Sequence, residues 1–515
     1  MPQSMSDTQT KRALVVAYVF PPSGGAGVQR VTKFVRYLPE FGWDCSVLTV
    51  ANPSVPVFDE SLEREVPEST VVRKARTLEP GYAFKNSVSA ASTGTTSKRR
   101  SLAQVMKKLV RSTGNAVLQP DAQMLWYPHA VKEGMRLLDE LQHDTIFVTA
   151  PPFSSFVIGS ELSRRSGLPL VLDYRDEWGI SNQYQENRQK SRLSHWLQGR
   201  MQRRVLRQAS AVIATTRLSS EAVGEAARRA GSRASISHIY NGYDANDFEA
   251  TSDDPVSRTD RLRLAYVGTL WNLTSIEPVV EAMKQVAATD PDLAAKIELV
   301  VAGRRTGEQD AILDRLDGTP CRVERAGYVD HHRAISTMQS ADVLCLLLSD
   351  LPDAGRVVPA KTFEYLALRQ PILSIAPCGE VEELLSNCPL ATSFEPSNVT
   401  GIAEWMKQRL RAESDGLSLT LSPSGGEGTN PNNWDVKQFE RRELTRQLAD
   451  VLDSAAGRTS NNVVVVHQKP HQVQPACNDS VTTGGVGFEV AQLCAPEGQR
   501  RIARGFNPGK RGPGG

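Results

Sequence analysis

Short apolar runs recur along the chain, and between them apolar residues return at helical rather than alternating spacing. ALVVAYVF (13–20) leads through a glycine-rich stretch into VQRVTKFVRYLPEFG, where Val28, Val31, Phe34, Val35 and Leu38 fall three or four positions apart. That spacing gathers them on one face of a helix. CSVLTV (45–50), TIFVTA (145–150), LPLVLDY (168–174) and AVIATT (211–216) are further runs of strand length, each separated from the next by helical patterning. Strands that alternate with helices imply parallel sheet built from β-α-β units. The pattern then restarts with LRLAYVG (262–268), IELVVAG (297–303), VERAGYV (323–329), ADVLCLLL (341–348) and QPILSIA (370–376). Two consecutive doubly wound α/β domains account for this, one over residues 1–245 and one over 246–415, joined at the turn-rich NGYDANDF (241–248).

Three segments fit neither core. Residues 84–101, rich in Ser, Thr and Ala and ending in Lys98-Arg99-Arg100, are expected to form a mobile insertion, and 416–433 a flexible loop. From 456 to 515 the chain carries ten glycines, five prolines and seven basic against three acidic residues without helical period, so a disordered tail is expected. Between loop and tail, WDVKQFERRELTRQLADVLD (434–453) spaces Phe439, Leu444, Leu448 and Leu452 as an amphipathic helix. The segment 434–455 is expected to cross back to the first domain.

Composition narrows the function classes. The 515 residues are 40% hydrophobic and 23% charged, as in a globular protein, and 60 basic against 58 acidic residues leave no global field for nucleic acid. The seven cysteines are scattered with no C-x-x-C, which argues against a disulfide framework and a structural zinc and for a reducing cytoplasm. No apolar run approaches the ~20 residues that span a bilayer. The start, MPQSMSDTQTKR, is polar, and the apolar run after it ends at Pro21-Pro22, so it reads as a strand rather than a signal peptide.

Three places could carry chemistry. In FPPSGGAGVQR (20–30), Gly24, Gly25 and Gly27 lie between a strand and a helix, where backbone N–H groups and the helix dipole favour an anion. A tight turn without ligand is the alternative. Arg30 stands where a dinucleotide fingerprint needs its third glycine, no acidic residue ends CSVLTV, and no Gly-Lys-Ser/Thr follows as a P-loop requires. VLDYRDEW (171–178) packs Asp173, Arg175 and Asp176 at a strand's C-terminal edge, where such sheets place ligands. A carboxylate beside a guanidinium can orient a hydroxyl, or simply brace the loop. TAPPFSS (149–155) brings Ser154 and Ser155 to the same edge. In VVPAKTFEYLALRQPIL (357–373), Lys361 opens a helix, against the dipole unless an anion is present, and Glu364 shares its face. A cation for phosphate beside a carboxylate for ribose hydroxyls suits a nucleotide diphosphate, and an incidental ion pair is the alternative. His331-His332 is read as solvated, with Asp330 as a helix cap.

In this order FPPSGGAGVQR, APPFSS, LDYRDEW, YNGYD, YVGTL and PAKTFEYLA resemble the motifs of GT-B-fold glycosyltransferases of family 4, in the branch serving bacterial cell-surface polysaccharide synthesis. The resemblance covers about residues 12–455. It implies two Rossmann-like domains facing across a cleft, the first for the acceptor and the second for the donor. It also implies transfer with retention from a nucleotide diphosphate sugar, UDP- or GDP-linked, to a saccharide or lipid-linked saccharide, with no cofactor and no metal in the cleft. By the same resemblance Gly24, Gly25 and Gly27 line the donor diphosphate and acceptor cleft, and Gly268 and Thr269 approach the diphosphate through the backbone. Lys361 neutralises it, Glu364 holds the ribose, and Glu382 or Glu383 helps seat the nucleotide or sugar. Asp176 or Asp173, beside Arg175, would orient the acceptor hydroxyl near Ser154 and Ser155.

The chain departs from the family's pattern in three places. Arg356 stands eight positions before Glu364, where many members carry a glutamate, so it is expected at phosphate instead. GTLWNLTS lacks the usual Arg and Lys, leaving Lys361, Arg356 and Arg304 to supply charge. The Arg175-Asp176 pair replaces the usual histidine. Two basic amphipathic segments, 97–112 and 188–208, suggest peripheral contact with an anionic membrane on its cytoplasmic side, and they lack the aromatic interleaving of nucleic-acid binders. A nucleotide-sugar epimerase on the same fold and a non-catalytic saccharide-binding scaffold are the competing functions.

Overall fold

The computed structural model describes residues 10–55, 58–81, 118–178, 192–249, 261–414 and 435–457. The chain divides into units 1–463 and 464–515, and every described residue lies in the first. The expected insertion at 84–101, the basic segment 97–112, residues 188–191, the loop 416–433 and the tail from 458 onward lie outside the described residues.

The first sheet has seven parallel strands: β1 (Lys11–Val16), β2 (Trp43–Val50), β3 (Val71–Ala75), β4 (Thr145–Ala150), β5 (Leu170–Tyr174), β6 (Ala211–Ala214) and β7 (Ser235–His238), in the order β3-β2-β1-β4-β5-β6-β7. Its helices are α1 (Ala26–Tyr37), α2 (Tyr127–Glu140), α3 (Ser154–Ser166), α4 (Arg192–Gln208) and α5 (Arg217–Ala230). The second sheet has six parallel strands: β8 (Leu262–Val267), β9 (Ile297–Ala302), β10 (Arg322–Ala326), β11 (Val343–Leu347), β12 (Ile372–Ile375) and β13 (Ala391–Phe394), in the order β10-β9-β8-β11-β12-β13. It carries α6 (Glu277–Thr289), α7 (Gly307–Leu313), α8 (His331–Gln339), α9 (Lys361–Leu368), α10 (Glu380–Leu385) and α11 (Val399–Ser414). A last helix, α12, spans Arg441–Ala455.

The unbroken apolar runs exist because each central strand is covered on both faces. In β1, Ala13 and Val15 join Val31, Phe34 and Val35 of α1, while Leu14 and Val16 face the opposite layer with Trp126, Phe156 and Leu162. In the second sheet Leu264 and Val301 pack toward Val280 and Met406, and Ala265 and Val300 toward Ile335 and Phe363. ALVVAYVF forms strand only as far as Val16. Beyond it the backbone leaves the ladder on the way to Pro21 and Pro22, which have no N–H to donate.

Both sheets reverse direction beside their first strand, between β1 and β4 and between β8 and β11. In open α/β sheets the crevice at such a switch point, beyond the carboxyl ends of the strands, holds the ligand. The two crevices meet because the two halves clasp each other. The Glu380 carboxylate, only 2% exposed, accepts the backbone N–H groups of Arg217 (2.8 Å) and Leu218 (2.9 Å) and the Tyr240 hydroxyl (2.7 Å). It therefore caps α5 from across the cleft. The Arg356 carbonyl accepts the hydroxyls of Thr216 (2.8 Å) and Ser219 (3.3 Å).

After the second sheet the chain returns to the first. Leu444, Leu448, Ala449 and Leu452 of α12 sit in the same core as Val31, Phe34 and Leu38. Trp43 Nε1 donates to Asp453 at 3.1 Å. Gly242, at φ 70°, lets the interdomain strap pass this returning segment, since a Cβ there would lie 2.4 Å from the Phe439 carbonyl oxygen. Leu448→Ala, at a fully buried position, is expected to cost about 2–5 kcal/mol in urea unfolding. A loss under about 1 kcal/mol would show that this packing does not hold the halves together.

Candidate active site

A cavity of about 1000 Å³ lies between the two sheets, lined from both. On the first side the α1 N-terminus meets it through Gly24, Gly25 and Gly27. No side chain caps this helix and no acidic residue occupies its first turn, so its N–H groups are open to an anion. Arg175 holds this loop in place by donating to the carbonyls of Gly27 and Pro151. Asp176 faces the cavity beside it. Asp176 is open to the cavity yet deep between the two halves, and this enclosure raises its carboxyl above the usual range, against the pull of the Arg175 guanidinium. The same enclosure lowers Arg175. On the floor, Asp121 accepts the Ser154 N–H at 3.1 Å and is pushed up to about 6 by burial.

On the second side Gly268 and Thr269 follow β8, Arg304 follows β9 and Tyr328 follows β10, and all four line the cavity. Gly303, at φ 133°, brings two strand ends together: a Cβ would lie 1.9 Å from the Gly268 carbonyl oxygen. The Arg304 guanidinium lies 5.6 Å from the centre of the Tyr328 ring. Lys361 and Glu364 form an ion pair on the first turn of α9, and both line the cavity. The Val267 N–H donates to Tyr365 Oη at 3.2 Å and fixes α9 against β8.

Several expected residues do other work. Asp173 does not line the cavity. All five residues of β5 are buried, and Asp173 accepts Arg30 at 2.9 and 3.2 Å and Thr149 Oγ1 at 2.9 Å, while Arg30 also donates to the Tyr240 carbonyl at 2.7 Å. Ser154 and Ser155, expected at the acceptor, are fully buried because α3 begins at Ser154 and its first turn faces the core, leaving Pro151, Pro152 and Phe153 at the cavity. Glu382 and Glu383 are exposed and away from the cavity, with Glu383 paired to Arg217, because the phase of α10 turns Glu380 inward instead. Arg356 lines the cavity, but its guanidinium lies between Glu177 at 3.3 Å and Asp353 at 2.7 Å.

The sequence also left residues unseen. His331, expected in solvent, lines the cavity with Nε2 3.3 Å from Asp247, and that carboxylate raises its pKa. Asp330 caps α8 as expected, accepting the Arg333 N–H at 2.8 Å. Arg30, Asp121 and Arg441 line the cavity too. Arg30 stood in a motif, but nothing local marked Asp121 or Arg441.

Two doubly wound parallel domains enclosing such a cleft are the GT-B architecture. Residues 24–242 match the glycosyl transferase 4-like domain, and residues 261–411 match the glycosyl transferases group 1 family. Together they span well over half of the chain, which belongs to the group 1 glycosyltransferases. Among solved structures it is similar to Anabaena Alr3699/HepE in complex with UDP, at 15% identity and TM-score 0.53, covering 86% of this chain and 100% of that one. Sucrose-phosphate synthase from Thermosynechococcus elongatus matches at 16% identity and TM-score 0.54 over 87% and 100%. WaaG, a glycosyltransferase involved in lipopolysaccharide biosynthesis, matches at 13% identity and TM-score 0.51 over 85% and 99%. A search of curated proteins found no match.

Removing one partner of a buried ion pair strands the other's charge. Asp173→Ala is therefore expected to destabilise the protein by about 3–5 kcal/mol in denaturant unfolding. Unchanged stability with lost turnover would return Asp173 to the catalytic group.

Proposed function

We propose that the chain transfers a sugar, with retention, from a UDP- or GDP-sugar to a hydroxyl of a saccharide or lipid-linked saccharide in cell-surface polysaccharide synthesis. The carrying observation is the Lys361/Glu364 pair on the cavity wall, one turn deep in a helix with no side-chain cap. Lys361 neutralises the diphosphate and Glu364 accepts the ribose hydroxyls, which requires the pair to part when the nucleotide enters. Gly268 and Thr269 approach the diphosphate through the backbone, Arg304 adds charge, and the open α1 N-terminus at Gly24 to Gly27 receives phosphoryl oxygens from the opposite side.

In the reaction the acceptor oxygen bonds to the anomeric carbon while the bond from that carbon to the diphosphate breaks. The acceptor's proton passes to a departing phosphoryl oxygen. Asp176, beside Arg175, orients the acceptor hydroxyl. Neutralisation falls to side chains and helix N-termini, with no metal or cofactor assigned. Enclosure between the halves keeps water from intercepting the donor.

The similar Anabaena HepE was solved with UDP and with UDP-glucose, so uridine nucleotides are the first to try. A nucleotide present at 100 times its dissociation constant should stabilise the protein by about 2.7 kcal/mol. UDP or GDP is expected to raise the melting temperature of the wild type and not of Glu364→Ala. If no nucleotide shifts the wild type, the transferase proposal loses its donor.

Peripheral membrane contact rests on α4. Val205 and Leu206 are buried, whereas Leu193 and Trp196 are 58% and 56% exposed beside exposed Arg203 and Arg204. The Arg200 guanidinium lies 6.0 Å from the centre of the Trp196 ring. Among the described residues no helix is long and apolar enough to cross a membrane. Each basic residue near an anionic surface contributes about 1 kcal/mol. Binding to phosphatidylglycerol vesicles is expected, lost on raising salt and weakened by Trp196→Ala with Arg203→Glu; salt-independent binding, or none, overturns the contact.

A further inference from the structure

Three helices, α8, α9 and α12, begin at the cavity, and each begins with a basic side chain: His331, Lys361 and Arg441. A cation at a helix N-terminus opposes the dipole, so each position is unfavourable unless a negative charge answers it. His331 has Asp247 and a helix capped by Asp330, and Lys361 has Glu364. Among the described residues Arg441 forms no ion pair, although Glu364, Asp247 and Asp244 lie near enough to act on it. It is 7% exposed, and among the described residues its buried Nη1 has no hydrogen-bond partner. No side chain caps its helix either.

The carboxylates around Arg441 are already engaged. Asp244 and Asp247 lie 2.7 and 3.1 Å from Lys33, and Glu364 pairs with Lys361. Arg30, the cation that repels it, is itself held by Asp173. Burial, with Arg30 adding repulsion, lowers the Arg441 guanidinium to about 10. Its position is not a product of loose packing. The Arg441 N–H donates to the Tyr243 carbonyl at 2.7 Å, and Phe439 packs on Phe363 of α9 with ring centres 5.3 Å apart. Tyr240 covers both rings, at 5.6 Å from Phe439 and 5.7 Å from Phe363. This aromatic trio sets the start of α12 beside α9, where Arg441 feels the Glu364 carboxylate and shares the cavity lining with Lys361.

We infer that Arg441 is a ligand of the donor's diphosphate, binding a phosphoryl oxygen of the same nucleotide that Lys361 holds. The inference rests on the donor site proposed above and adds a residue from the helix that returns to the first sheet. A guanidinium is the side chain suited to this, since it gives two parallel N–H groups to one phosphoryl group. The nucleotide would then be held at once by the second half and by a helix seated on the first, so its departure would loosen the contact between them.

The test is calorimetric titration of the full chain with UDP and GDP, each compared with its uncharged nucleoside. Arg441→Gln is expected to weaken the diphosphate about 10- to 100-fold and to leave the nucleoside unchanged. It is also expected to raise the melting temperature of the ligand-free protein, because an unanswered buried charge is gone. A purely structural arginine would give the opposite sign, a lower melting temperature with diphosphate affinity retained, and that result overturns the inference. So does wild-type diphosphate affinity in Arg441→Gln when Glu364→Ala has lost it, an outcome that leaves the donor site standing. Failure of the wild type to bind any nucleotide removes the donor site itself. Should Arg441→Gln not fold, Arg441→Lys decides: a several-fold loss confined to the diphosphate supports the inference, and no loss overturns it.

Discussion

The cleft depends on one buried carboxylate. Glu380, at the start of α10, satisfies the first two backbone N–H groups of α5 on the opposite half and takes the Tyr240 hydroxyl as well. Most of what joins the two halves at this edge is of the same kind: hydroxyls of Thr216 and Ser219 on the Arg356 carbonyl, and Arg217 on Glu383. Hydrogen bonds like these exchange with water at small net cost. The packing of α12 on α1 is apolar and does not. One edge of the cleft can therefore release while the other stays anchored, which is the mechanical requirement for a site that must admit a donor and then exclude water.

Charge follows the same division. Deep in the first half, Asp173 and Arg30 neutralise each other, and Lys33 is surrounded by Glu65, Asp244 and Asp247. These groups fix the geometry and leave little field for a ligand. The cavity lining carries acidic as well as basic side chains, with Arg175, Arg304, Lys361 and Arg441 among the basic ones and uncapped helix N-termini beside them. Any pull on a diphosphate is therefore local to these groups, in a chain whose formal net charge is only +2.

The central strands were legible in the sequence because burial on both faces leaves them mostly apolar. β3 (VVRKA), β7 (SISH) and β13 (ATSF) were not. Each lies at an edge of its sheet, where one neighbour is missing and polar residues are tolerated. In the site, what could be read was proximity to a strand end; what could not was direction. Glu380, Glu382 and Glu383 sit within one turn, and only the phase of α10 decides that Glu380 turns inward. Ser154 and Ser155 reach the right edge but belong to the buried turn of a helix. Asp173 lies one strand residue too early to clear the sheet. Arg441 came from a different failure: the return of 434–455 to the first domain was expected, but no local pattern places the first residue of its helix at the cavity.

The replacement at position 356 shows why a departure from a family pattern is poorly interpreted by itself. From sequence, an arginine in place of an acid suggested a new phosphate contact. In the fold the Arg356 guanidinium meets Glu177 of the first half at 3.3 Å and Asp353 at 2.7 Å, and its carbonyl receives two hydroxyls from α5 and the residue before it. Burial raises the Glu177 carboxyl, and the arginine's charge opposes that rise. A glutamate at 356 would face Glu177 with like charge, at the seam where the halves touch. The arginine is thus matched to a partner far away in sequence, and its charge serves the closure of the cleft before it can serve any phosphate.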